Sequence, residues 1–135
     1  MTEQDRELLR RPLLAFFTTA AGPVPPQPRP VWFELTADDE VQLFTPPGSL
    51  KVRRLERDPR ASLVVAAPAD EREHWVALTG PVSVETEGAR ELAERLAARY
   101  WDLDDPVRAA DRDGLLVEPY VRLVLHPETV RRTVF

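Results

Sequence analysis

A chain of 135 residues is the size of one domain, residues 1–135, and can bury about two-thirds of the surface its unfolded form exposes. Its hydrophobic content of 43% and charged content of 30% are those of a globular protein, and a net charge of −5 argues against nucleic-acid binding, whose usual footprint is a basic domain. The lack of cysteine excludes disulfides and thiolate chemistry, and two histidines far apart speak against a histidine-based metal site.

In chain order, residues 2–11 read as a short amphipathic helix with Leu8 and Leu9 as its apolar contacts. Arg10-Arg11 before the apolar run Leu13–Phe17 faintly resembles a signal sequence, but Glu3, Asp5 and Glu7 precede it and Thr18-Thr19 end it at once. The run is also far too short to span a bilayer, so a cytoplasmic protein without a membrane partner is the simpler expectation. Leu13–Ala20, bounded by Pro12 and Gly22, predicts a buried strand. Five of the 14 prolines fall between Pro23 and Pro30, a stiff loop poor in ladder donors.

The segment Arg29–Arg60 organises the rest. Val31, Phe33 and Leu35 alternate with Trp32 and Glu34, then Val41 and Leu43 with Gln42 and Phe44, which predicts two half-buried strands joined by the polar turn 37–40. Ser49 stands where an N-cap belongs, Leu50–Arg57 follows as a two-turn helix, and Asp58-Pro59 stops it. Helix starts normally attract Asp or Glu, yet Lys51, Arg53, Arg54, Arg57 and Arg60 face only Glu56 and Asp58 here. Free backbone N–H groups beside cations suit a bound phosphate; the alternative is a solvated basic face whose partners lie elsewhere in the fold. Lys51 is the single lysine against 17 arginines, and a compact ammonium suits a point contact to a phosphate oxygen.

Ala61–Ala67 predicts a further strand. His74–Glu85 predicts a long one, with Val76, Leu78, Val82 and Val84 on one face and Trp75, Ala77, Thr79 and Ser83 on the other. Trp75, a large aromatic on a small polar face, marks either a ligand or subunit contact or a spot that a loop or helix covers. Thr86 reads as the N-cap of an amphipathic helix to about Trp101 that carries a Glu91–Arg95 pair, and Pro106–Asp113 as another helical turn. Pro119–His126 and Glu128–Phe135 read as the last strands. About seven strands with one good helix point to a mainly β fold, a small antiparallel barrel with helical cover.

Catalytic signatures are absent: no G-x-G-x-x-G opening a helix, no Walker lysine, no G-x-S-x-G. His74 at a strand edge and His126 before a proline read as structural, and Glu34, on the less apolar face of its strand with Trp32, as a solvated strand carboxylate or else a residue of a site. The residues alone thus describe a small barrel with an anion-binding helix start flanked by aromatics suited to a planar ligand.

The run RPVWFEL…VQLFTPPGSLKVRRLERDPRASLVV…HWVALTGPVSVE resembles the split-barrel flavin-binding family, which contains pyridoxamine 5′-phosphate oxidase and related oxidoreductases that use FMN or the deazaflavin F420. The resemblance covers roughly residues 13–101 and rests on S-x-K, R-x-L-x-x-[DN]-P and the later strand ending in glycine. It implies a six- to seven-stranded antiparallel split β-barrel. It further implies a cofactor site in which Arg29, Pro30, Val31 and Trp32 meet the flavin ring. Phe44 and Thr45 flank the ribityl chain, Ser49 and Lys51 clamp the phosphate with help from Arg54, and Trp75 replaces a glutamine that reaches the ring. Proteins of this kind are homodimers with cofactor sites at the interface.

Pyridoxamine 5′-phosphate oxidases carry a lysine where this chain has Glu34 and an arginine where it has Leu50, which speaks against true pyridoxamine phosphate oxidation. The resemblance therefore implies an F420- or FMN-dependent oxidoreductase passing hydride to a small unsaturated or quinone-like acceptor, with no protein catalytic residue and no metal. Arg53, Arg57 or Arg60 would meet the longer anionic tail of F420. A carrier that binds flavin or haem without turnover is the alternative.

Overall fold

The computed structural model describes residues 1–135. Its elements are α1 (Glu3–Leu9), β1 (Ala15–Thr19), β2 (Arg29–Val31), β3 (Glu34–Leu35), β4 (Val41–Thr45), α2 (Leu50–Arg57), β5 (Arg60–Ala66), β6 (His74–Glu85), α3 (Ala89–Tyr100), α4 (Pro106–Leu116), β7 (Val121–Leu125) and β8 (Thr129–Val134). Seven strands form one antiparallel path, β2-β1-β5-β6-β7-β4-β3, and β8 pairs off it with β6. The path curls into a half-barrel with helices as cover, which is the mainly β split-barrel architecture expected.

β6 makes the curl possible because it is twelve residues long and changes partners along its length. Its first half lies between β5 and β8, and its second half pairs with β7, from Val82↔Leu125 to Glu85↔Arg122. Where the β7–β8 connection crosses, a Cβ on Gly80 would lie 2.0 Å from the His126 carbonyl oxygen, so only glycine fits. Alternation sends Phe17, Leu43, Leu63, Val65, Leu78, Leu123 and Leu125 into one core, capped by Leu8 and Leu9 of α1 and by Val52 and Leu55 of α2. The other face of β4 and β7 is covered by α3 through Leu92, Ala93, Leu96 and Ala97.

The strand expected over Val31–Leu35 is divided. β2 pairs with β1 at one end of the path and β3 with β4 at the other, so the two terminal strands are joined by Trp32-Phe33 alone. The barrel closes there through covalent chain rather than through a ladder, and this seam is its split. The backbone at the seam needs other partners. The Tyr100 hydroxyl supplies them, accepting from Phe33 N at 3.3 Å and donating to Leu13 O at 2.6 Å.

Three local expectations change. Gly88, at φ 79°, is the N-cap of α3 in place of Thr86, because the chain turns into the helix through left-handed geometry that threonine avoids. Arg95 pairs with Glu34 across the α3–sheet contact at 2.8 Å instead of with Glu91 on its own helix. The last predicted helical turn runs further than expected, to Leu116.

Candidate cofactor site

The helix start is built from two hydroxyls. Thr45, buried at the end of β4, donates to Ser49 Oγ at 2.9 Å, and Ser49 Oγ accepts from Val52 N at 3.5 Å as the N-cap of α2. The first turn of α2 contains no carboxylate, so beyond the Val52 N–H that Ser49 caps its N–H groups have no protein anion beside them. Lys51 is half-buried and has no carboxylate partner. Burial pulls its ammonium below the usual lysine value, and the nearby positive charges of Arg29 and Arg54 pull it further. Such a cation is a costly arrangement unless an anion joins it.

Neighbouring cations are free as well. Arg29 donates to Pro28 O and Gln27 Oε1, and neither it nor Arg53, Arg54 or Arg57 makes an ion pair. Arg53, Arg54 and Arg57 line a pocket of about 390 Å³ with Gly22, Pro23 and Leu50. Arg60 departs from the sequence expectation: both its Nε and its terminal nitrogen engage Asp58, so it points no free charge at that pocket.

An apolar pocket of about 370 Å³ opens on the seam, lined by Leu14, Pro30, Val31, Trp32 and Phe44. Trp32 is stacked on Tyr100, with ring centres 5.1 Å apart and planes 4° from parallel, and meets Trp101 edge-on at 4.8 Å. Phe44 meets the edge of Tyr120 at 4.8 Å. The wall is thus a connected aromatic set whose rings hold one another's angles.

Of the sequence-predicted residues, Pro30, Val31, Trp32 and Phe44 come together in the apolar pocket. Thr45 and Ser49 are tied to each other, and Arg29, Lys51 and Arg54 share one electrostatic neighbourhood. Trp75 lies apart from that pocket on the outer face of β6, opposite Ala66 and Thr133. Glu34 is not a solvated carboxylate: burial would raise its pKa, but hydrogen bonds from Arg95 and Gln42 hold it below the ordinary value. Leu14, Tyr100, Trp101 and Tyr120 escaped sequence reasoning. Only the Tyr100-Trp101 pair at the end of the α3 pattern hinted at them.

Residues 1–133 match the family model described as pyridoxamine 5′-phosphate oxidase. The chain belongs to this family. Among solved structures, it resembles an F420 reductase with a TM-score of 0.74 at 21% identity, over 97% of this chain and 98% of that one. It also resembles General Stress Protein 26 from Bacillus anthracis (TM-score 0.68, 16% identity, 96% and 91% covered). A heme-binding protein from Mycobacterium smegmatis gives 0.65 at 24% identity, with 97% of this chain covering 52% of that one. Likeness at these identities establishes the fold. No curated protein matches the sequence. Within the pyridoxamine 5′-phosphate oxidase family, both departures have visible consequences here. Glu34 is committed to Arg95, and Leu50 stands exposed at the mouth of the arginine pocket.

Proposed function

We propose that this member of the pyridoxamine 5′-phosphate oxidase family binds a flavin-type cofactor, F420 or FMN, and passes hydride to a small unsaturated or quinone-like acceptor. The observation that carries this reading is the half-buried, unpaired Lys51, which feels the charge of Arg29, the residue just before Pro30 in the wall of the apolar, aromatic pocket. An anionic head and a flat ring are what two such features accommodate. When bound, the flavin or deazaflavin supplies the hydride chemistry itself. The chain's own residues bind, orient and keep water away. Ser49, Lys51 and the α2 N–H groups meet the phosphate, with Arg29 and Arg54 adding charge. Thr45 and Phe44 border the linking chain, and Pro30, Val31 and Trp32 flank the ring. None of the residues lining the apolar pocket transfers a proton at neutral pH, so the acceptor's proton comes from water.

The arginine pocket favours F420 over FMN, because Arg53, Arg54 and Arg57 offer charge beyond the reach of a single phosphate. The carrier reading is favoured by the fold shared with the heme-binding protein. We further read the outer sheet face as a homodimer surface. Phe16, Val64 and Ala77 lie opposite one another across β1, β5 and β6, and Leu14, Phe16 and Trp75 are 48%, 47% and 37% exposed. Leu14 also lines the apolar pocket, so a second copy seated there would close over the ring site.

Fluorescence titration of the purified protein with F420 and with FMN tests the reading. Micromolar binding of either is the expected result, and no binding of both defeats it. Reoxidation of the reduced, bound cofactor by an added quinone marks an enzyme, whereas tight binding with inert redox behaviour marks a carrier.

A further inference from the structure

We propose that Ser83, His126 and Glu40 form a second reactive centre, an acylatable serine that takes the acyl group of small activated esters. The three residues come from different places in the chain: Ser83 from β6, His126 from just beyond β7, and Glu40 from the turn before β4. The sheet register brings them together. Val82 and Val41 both face Leu125, so the next residues along, Glu40 and His126, are cross-strand neighbours at the end of the β4–β7 ladder, and Ser83 stands opposite Val124. His126 Nδ1 bonds the Glu40 carboxylate, and His126 Nε2 lies 2.9 Å from Ser83 Oγ.

The order of these contacts fixes the proton positions. A carboxylate only accepts, so in the neutral ring the proton sits on Nδ1 and is donated to Glu40. Nε2 is then the lone-pair nitrogen and accepts from the Ser83 hydroxyl. That is the tautomer a general base needs, and the sequence hydroxyl, imidazole, carboxylate is the recurring arrangement of an activated serine on unrelated folds. All three residues are partly solvent-accessible, and the His126 side chain is 42% exposed, so a small electrophile reaches Ser83 without entering the barrel.

Neither the apolar pocket nor the arginine pocket is lined by these three side chains, so the centre takes esters that need no deep binding site and carry good leaving groups. In the acylation step, a bond forms between Ser83 Oγ and the ester carbonyl carbon. The serine proton passes to His126 Nε2, the ester C–O bond breaks, and the proton leaves with the released alkoxide as alcohol. Water then repeats the steps on the acyl-serine, yielding the carboxylic acid and the free hydroxyl. This centre is separate from the cofactor pocket and stands whether or not a flavin binds.

The chain has three serines, Ser49, Ser62 and Ser83, so the protein carries its own control. Intact protein is incubated with p-nitrophenyl acetate or a fluorophosphonate, and the adducts are located by peptide mass spectrometry over time. Ser83 is expected to be modified about a hundredfold faster than Ser62, the scale of general-base assistance. His126→Gln is expected to abolish that advantage, and Glu40→Gln to cut it at least about tenfold. Modification of Ser83 no faster than of Ser62 in the wild-type protein overturns the proposal even if a variant fails to fold. So does a rate unchanged in His126→Gln, which would leave the three residues as a cross-strand tie.

Discussion

Lys51 sits half-buried among Arg29 and Arg54 with no carboxylate within reach, so in the free protein its charge opposes folding rather than supporting it. Replacing it with alanine therefore separates ligand binding from stability. Lys51→Ala is expected to weaken F420 or FMN binding by roughly 10- to 100-fold, the value of one charge-assisted hydrogen bond, while the melting temperature of the free protein stays level or rises. Calorimetric titration and thermal melts read the two effects. A large fall in melting temperature without a change in affinity would show a structural lysine. Tyr100 works at a distance from any ligand. Its hydroxyl satisfies Phe33 N and Leu13 O at the seam, and its ring backs Trp32. Tyr100→Phe keeps the stack but leaves two backbone groups without that partner, which costs about 1–3 kcal/mol in urea unfolding. Tyr100→Leu removes the stack as well and is expected to lower cofactor affinity further, whereas affinities equal in both variants would sink the idea that the ring positions Trp32.

α1 and β8, far apart in the chain, are tied together by an ion pair with a buried carboxylate. Asp5 is fully buried, caps α1 by accepting from Thr2 N at 2.9 Å, and takes both a 3.0 Å and a 2.8 Å hydrogen bond from Arg132. Burial alone would raise its carboxyl, but the bonds from Arg132 and Thr2 outweigh it and hold the pKa at about 2, against 3.8 when free. The unfolded chain thus takes up this proton at higher pH than the folded one. The stabilisation is complete above the free value and is lost as pH falls through about 2, and a shift of this size corresponds to about 2 kcal/mol. Asp5→Asn is expected to lose about that much at neutral pH and to flatten the acid limb between pH 4 and 2, measured by denaturant unfolding across pH. An unchanged acid limb would assign it to other carboxylates. This tie was not legible in the sequence, since a capping Asp and an arginine 127 positions later share no local pattern. Local signals fared well: Ser49 as cap, Leu50–Arg57 as helix and His74–Glu85 as strand follow from chemistry within a few residues. The split of the predicted strand at Trp32-Phe33 did not show, because alternation continues smoothly through a point where the chain changes strand partners.

At the scale of the whole molecule, the candidate site follows from closure of the barrel. The terminal strands β2 and β3 meet only through Trp32-Phe33, so the apolar pocket lies on a seam whose side chains lack a ladder to cover them. The sequence announced the polar half of the site, because cations at a helix start break a local rule, and it announced Trp32 and Phe44 as aromatics beside it. It was silent on Leu14, Tyr100 and Tyr120, which reach the site only through tertiary packing. The same closure leaves the outer face of β1, β5 and β6 bare around Phe16, Val64, Trp75 and Ala77, continuous through Leu14 with the pocket rim. On the proposed dimer reading, a second copy laid on that face would bury its aromatic side chains and add a wall to the pocket. Phe16→Glu combined with Trp75→Glu places charge on the face without touching the core, since both side chains are exposed in the single chain. Light scattering is expected to show a dimer for the wild-type protein and a folded monomer for the variant, with cofactor affinity falling at least about tenfold, the loss of some 1.4 kcal/mol of ring contact. A monomeric wild-type protein that binds cofactor as tightly as the variant would mean the seam pocket is complete within one chain.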